Sequence, residues 1–129
     1  MQAEFAMQDQ DYSRAEQAYA TAAKLDADGA MGLMAALGQA GALIKLDRPA
    51  DAVTLLQGLE SRATEDGRAT LRMLLGEAAE AAGKTDVAVA AYEALAASQP
   101  GLDGEFYRSR AEALGGGKTA PVKDGAENK

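Results

Sequence analysis

Two short amphipathic segments, joined at Gly83 and Lys84 and stopped by Pro100, fill residues 69–102 and constrain the fold more than any other stretch of the chain. In the first, Leu71, Leu74, Leu75 and Ala78 recur at helical spacing; in the second, Val87, Ala88, Ala91, Tyr92 and Leu95 do the same. Each segment is therefore an amphipathic helix, and so short a connection folds the second back along the first. Gly76 and Ala88 fall where helices of this length cross. Small residues there let the backbones approach closely while Leu75 and Tyr92 fill the flanks. Thr85 is predicted to cap the second helix, and Pro100 cannot continue it.

Weaker copies precede this unit. In residues 11–25, Ala15, Ala18, Tyr19 and Ala22 share one helix face, and Ala15 with Tyr19 repeats the spacing of Ala88 with Tyr92. Residues 31–46 read as a helix. A partner helix begins at Pro49, a residue favoured at the first helical position, and runs to about residue 61 with Ala52, Val53, Leu56 and Leu59 inward. The equivalent alanines Ala15, Ala52 and Ala88 lie 37 and then 36 residues apart. Residues 26–29 and 64–67 have turn-like composition and are read as loops between repeats. Residues 1–10 form two helical turns with Phe5 and Met7 as apolar contacts, too short for a complete first helix. Either a short cap closes that end or the chain was cut from a longer protein, and the incomplete unit favours the cut. After Pro100, Asp103 is predicted to cap a last helix in which Phe106, Arg110 and Leu114 share a face. Residues 115–129 are glycine-rich, charged and without periodicity, and are predicted to be a disordered tail.

Numbered from Ala69, the residues Leu75, Gly76, Ala79, Gly83, Ala88, Tyr92 and Pro100 stand where the tetratricopeptide repeat has its signature small, large and breaker residues. The unit resembles that repeat over its full length. It departs at Leu95, where a small residue is usual, and at Arg72, where an aromatic is usual. The middle copy has Gln39 and Ala40 in place of Leu75 and Gly76, and the spacings slightly exceed the family's period of about 34. The resemblance implies an all-α, right-handed solenoid of antiparallel helix pairs. Its parts would be a partial repeat at 1–28, repeats at 30–62 and 69–102, and a terminal helix at 103–114. Residues 68–99, the ADAVTLL stretch at 50–56 and the closing YRSRAEAL also resemble the soluble part of bacterial membrane-anchored tetratricopeptide proteins of the ancillary Sec-translocon subunit type. That likeness implies an extracytoplasmic location and contact with translocon or client proteins; without it, the reading is cytoplasmic.

Composition narrows the chemistry. With 129 residues the chain is one domain, and 47% hydrophobic residues suffice for a core, although only 5% are aromatic and much of the rest is alanine. There is neither cysteine nor histidine, so disulfides, thiolate zinc sites, cysteine nucleophiles and histidine-dependent catalysis are excluded. A net charge of −7 without a basic stripe argues against nucleic acid. The apolar runs are too short to insert in a membrane, and the N-terminus lacks a signal-peptide pattern. No cofactor and no enzymatic activity are predicted.

Three local motifs dissolve on inspection. GGGKT at 115–119 lacks the earlier glycine of a phosphate loop, which falls at Glu112. Asp26, Asp28 and Gly29 align with a calcium loop only by placing Lys24 at the first ligand and Ala35 at the last. Glu77 and Glu80 form an i, i+3 carboxylate pair with no nucleophile or metal-ligand set beside it. What remains is implied by the resemblance. Met34, Leu37, Gly41 and Ile44 from one helix, with Thr70, Met73, Glu77, Glu80 and Ala81 from the next, occupy the positions that line the concave groove of such solenoids. The flexible methionines suit adaptable contact with apolar segments. The expected function is a module that binds a protein or peptide segment there; the alternative is an assembly role, by homodimerisation or docking to the rest of a longer parent chain. Chaperone-tail clamping needs Lys, Asn and Arg where Leu37, Gly41, Met73 and Glu77 stand, and is not expected.

Overall fold

The computed structural model describes the backbone of residues 2–115, and the side-chain surroundings of residues 10–65 and 67–115. These residues form six α-helices, one 3-10 turn and no strand. They are α1 (Gln2–Leu25), α2 (Ala30–Lys45), α3 (Pro49–Leu59) with the 3-10 turn Glu60–Arg62, α4 (Glu65–Ala81), α5 (Thr85–Ser98) and α6 (Gly101–Ala113). The all-α expectation holds. Each helix packs on the next, and α2 also reaches α4. Residues 116–129, predicted to be a tail, lie outside the described residues.

The α2–α3 and α4–α5 pairs are closed by one and the same turn. At the end of α2, Leu46 donates to Ala42 O, Asp47 to Ile44 O and Arg48 to Leu43 O; at the end of α4, Ala82 donates to Ala78 O, Gly83 to Glu80 O and Lys84 to Ala79 O. The crossed pair of bonds is a Schellman motif, which needs a left-handed residue just past the helix. Gly83 supplies it at φ 77°, and Asp47, whose short polar side chain tolerates this region, supplies it at φ 62°. An internal repeat of 36 residues is thus present in the backbone as well as in the alanines.

The core is a continuous cluster running from Leu33 on α2 to Ala111 on α6. The predicted inward residues of α3, Ala52, Val53, Leu56 and Leu59, are all buried, as are Leu71, Leu75 and Ala78 on α4 and Ala88, Ala91, Tyr92 and Leu95 on α5. Val53, Leu56, Leu71 and Leu95 are the largest fully buried side chains, each worth about 2 kcal/mol of transfer from water.

Several boundaries differ from the sequence reading, each for a local reason. Residues 1–10 and 11–25 do not divide, because nothing between Gln2 and Leu25 breaks a helix: there is no glycine or proline. Residues 64–67 are not a loop. The Thr64 hydroxyl accepts the Gly67 N–H at 3.2 Å, an N-cap that starts α4 four residues before Ala69. Thr85 is the first residue of α5 rather than its cap, which is Lys84. Asp103 lies in the first turn of α6, which starts at Gly101 after Pro100. The inward face of α6 is Gly104, Tyr107, Ala111 and Leu114, not the predicted Phe106 and Arg110, and Phe106 points to solvent.

Close approach is organised by glycine facing tyrosine. A Cβ on Gly76 would lie 2.7 Å from the Tyr92 ring, and one on Gly38 would lie 2.7 Å from the Tyr19 ring. Tyr92, not Ala88, is therefore the group Gly76 accommodates. Gly76→Leu is expected to overpack this contact and cost about 2 kcal/mol, read as a lowered urea midpoint at unchanged m-value. An unchanged midpoint would mean that Tyr92 can swing away freely.

Candidate protein-interaction face

α2 packs on α4, and α4 is tied to α6 through the ion pair of Glu80 with Arg110. Repeat spacing puts Met34, Thr70 and Phe106 in one equivalent position on the three helices, 36 residues apart, and Leu37 with Met73 in the next. A large apolar side chain stands exposed on each of the three helices, at one or the other of these two positions. Met34 is 60% exposed, Met73 43% and Phe106 64%. Thr70, Glu77 and Ala81 complete the outer face of α4.

The predicted site residues separate into an outer and an inner set. Leu37 does not belong to the open strip. It is only 4% exposed and part of the core cluster, because α2 carries apolar residues over a wide arc and is packed on by α1, α3 and α4. Ile44 is half-buried against the same cluster, and Gly41 is half-buried with open space where a side chain would project. Glu80 is likewise engaged. Its Oε1 accepts the Tyr92 hydroxyl at 3.1 Å and the Arg110 Nε–H at 3.2 Å, while its Oε2 accepts from Arg110 Nη2. That network joins α4, α5 and α6 and leaves Glu77 as the free carboxylate of the predicted pair.

Phe106 is the residue that sequence reasoning placed on the wrong side. The signal was present: it stands one repeat length after Thr70. Its ring meets Tyr107 edge-on with centroids 5.3 Å apart, and Tyr107 stacks on Tyr92 at 6.2 Å. The exposed ring is thus seated on a stack that reaches the core.

Tyr92 has its hydroxyl pKa raised, first by burial, then by the charge of Glu77 and by Tyr107. The unfolded chain therefore ionises this tyrosine before the folded one does, so its contribution to stability is full below pH 10.0 and is lost as the pH climbs above that value. Tyr92→Phe removes this loss. The fall in melting temperature above pH 10 is expected to be shallower in Tyr92→Phe than in the parent chain, and parallel curves would contradict the assignment.

Among the described residues no helix is long and apolar enough to cross a membrane, and no group of three or more acidic side chains is placed to hold a metal. Comparison with protein-family models, curated proteins and solved structures finds no match to this chain.

Proposed function

We propose that the chain is a tetratricopeptide-like interaction module, a right-handed solenoid of antiparallel helix pairs that holds a segment of a partner protein across α2, α4 and α6. The observation that carries this reading is the exposure of Met34, Met73 and Phe106, one large apolar side chain on each of α2, α4 and α6. Exposed apolar residues scattered singly are ordinary; the proposal is that these three, one on each of α2, α4 and α6, act together as the patch a partner uses. Methionine adapts to varied apolar partners, and Phe106 supplies a rigid anchor. Leu37 and the Glu80 network hold the platform from behind. The repeated turn and the spacing of Ala15, Ala52 and Ala88 support the repeat reading. Under the Sec-type resemblance the partner would be an extracytoplasmic translocon component or client. Catalysis has no place in the proposal.

Peptide display against the purified chain tests it: sequences with apolar anchors at helical or extended spacing should be enriched, and enrichment no better than on a blank surface would count against the module.

A second reading, assembly, is favoured by α1. Ala18, Ala22 and Leu25 are exposed, and Tyr19, though its ring packs over Gly38 of α2, stays 42% exposed, whereas Leu56 and Tyr92, which stand at the position of Tyr19 in the later copies, are buried. A helix from a second copy or from the rest of a parent chain would cover these α1 residues as α4 covers Tyr92. Sedimentation equilibrium separates the homodimer from the module, since a monomer mass holding to about 100 µM removes self-association.

A further inference from the structure

The thioethers of this chain are all on one side of the division between core and surface. Met31 is 80% exposed, Met34 60% and Met73 43%, and these are the methionines among the described side chains. The buried cluster is built from leucine, valine, alanine and tyrosine, with no methionine in it. The chain also has no cysteine, so methionine is its only sulfur chemistry. A two-electron oxidant therefore meets exposed thioethers on α2 and α4 and leaves the described core untouched. Two of the three, Met34 and Met73, are anchors of the interaction face.

We propose that Met34 and Met73 are oxidation sites through which a peroxide switches the interaction face off; this rests on the reading of α2, α4 and α6 as that face. The thioether sulfur gives a lone pair to one peroxide oxygen, the S–O bond forms as the O–O bond breaks, and the departing hydroxide takes the proton of the transferred oxygen to leave as water. Sulfur is oxidised by two electrons and the peroxide is reduced by two. The product is a sulfoxide, polar where the thioether was apolar. Its oxygen is a strong acceptor, and a partner that buries it without a donor loses its hydration for nothing in return. Reversal needs a methionine sulfoxide reductase and an external dithiol, which becomes a disulfide as the oxygen leaves as water. The fold is indifferent to both steps, because neither side chain belongs to the core.

The test treats the full chain with hydrogen peroxide, removes the oxidant with catalase, maps sulfoxides by proteolysis and mass spectrometry, and titrates a display-selected peptide free of methionine. Met34 and Met73 should oxidise at rates comparable with that of Met31, and the Kd should rise about tenfold or more. The far-UV circular dichroism and melting midpoint should stay unchanged, and reductase with dithiothreitol should restore the affinity. Met31→Leu should lose affinity on oxidation as the parent does. The Met34→Leu, Met73→Leu variant, whatever its starting affinity, should not respond to peroxide. Equal affinity of the oxidised and untreated parent overturns the switch, as does a Met31→Leu chain that no longer responds. Unfolding on oxidation overturns it too, since the thioethers would then be core. If no peptide binds the untreated chain, the interaction face itself falls and the switch with it, whereas a peptide that binds both forms alike removes the switch alone.

Discussion

Gly32→Ala is expected to destabilise the chain by about 3 kcal/mol, although alanine in a helix is otherwise favoured over glycine by about 1 kcal/mol. Gly32 lies in the first turn of α2, where its added Cβ would run into the Asp26 carbonyl and crowd that of Ala23. A backbone carbonyl at a helix end cannot rotate aside as a side chain can. The turn itself would have to move, and with it the bond from the Gly32 N–H to Asp26 Oδ2 at 3.1 Å. Gly104 makes the same approach at the start of α6, onto the carbonyls of Gln99 and Ala96, and Gly104→Ala should behave alike. The control is Gly58→Ala. That residue is exposed in α3 with nothing within 4 Å of the added carbon, so the propensity term acts alone and the variant should gain up to about 1 kcal/mol. Denaturant melts of the three variants check the contrast in sign; a stabilised Gly32→Ala would mean that α1 and α2 do not meet as described.

The second large effect separates core from surface on α2. Leu37→Ser should cost about 4 kcal/mol, because it opens a cavity in the cluster and buries a hydroxyl without an arranged partner. Met34→Ser, three residues earlier on the exposed side, should stay within about 0.5 kcal/mol of the parent. Thermal melts of the two single variants decide it. Comparable losses in both would place Met34 in the core and remove it from the interaction face.

These residues also mark how far the sequence could be read. The helices and their inward residues were legible because periodic alanine and leucine leave one face apolar, and the burial of Ala52, Val53, Leu56 and Leu59 follows from that alone. Leu37 was not legible, since its position in the repeat says where it points but not that the helices around α2 close over it. Glu80 has the same character. Its engagement depends on Arg110, thirty residues away on α6. Phe106 was misplaced because the stripe 106, 110, 114 and the stripe 107, 111, 114 both carry apolar residues at helical spacing, and Gly104, which lets α6 meet the end of α5, carries no apolar signal. At residues 64–67 turn-like composition concealed a cap, because Thr64 ahead of a glycine suits both a loop and the first turn of a helix.

The exposed face follows from these corrections. With Leu37 and Glu80 withdrawn and Phe106 added, the face comprises one apolar side chain from each of α2, α4 and α6, with Thr70, Glu77 and Ala81 between them. Truncating all three anchors removes contact area at the centre of the face while sparing the core, so the loss in binding can be told from a loss of fold.

The most direct measurement is the fluorescence anisotropy of a display-selected, labelled peptide titrated with the parent chain and with the triple variant Met34→Ser, Met73→Ser, Phe106→Ser, both confirmed as folded by circular dichroism. A binding face on α2, α4 and α6 predicts a loss on the order of 2 kcal/mol, about thirtyfold in Kd, in the triple variant. Equal affinity for the two proteins would contradict it and move the binding surface off these three helices.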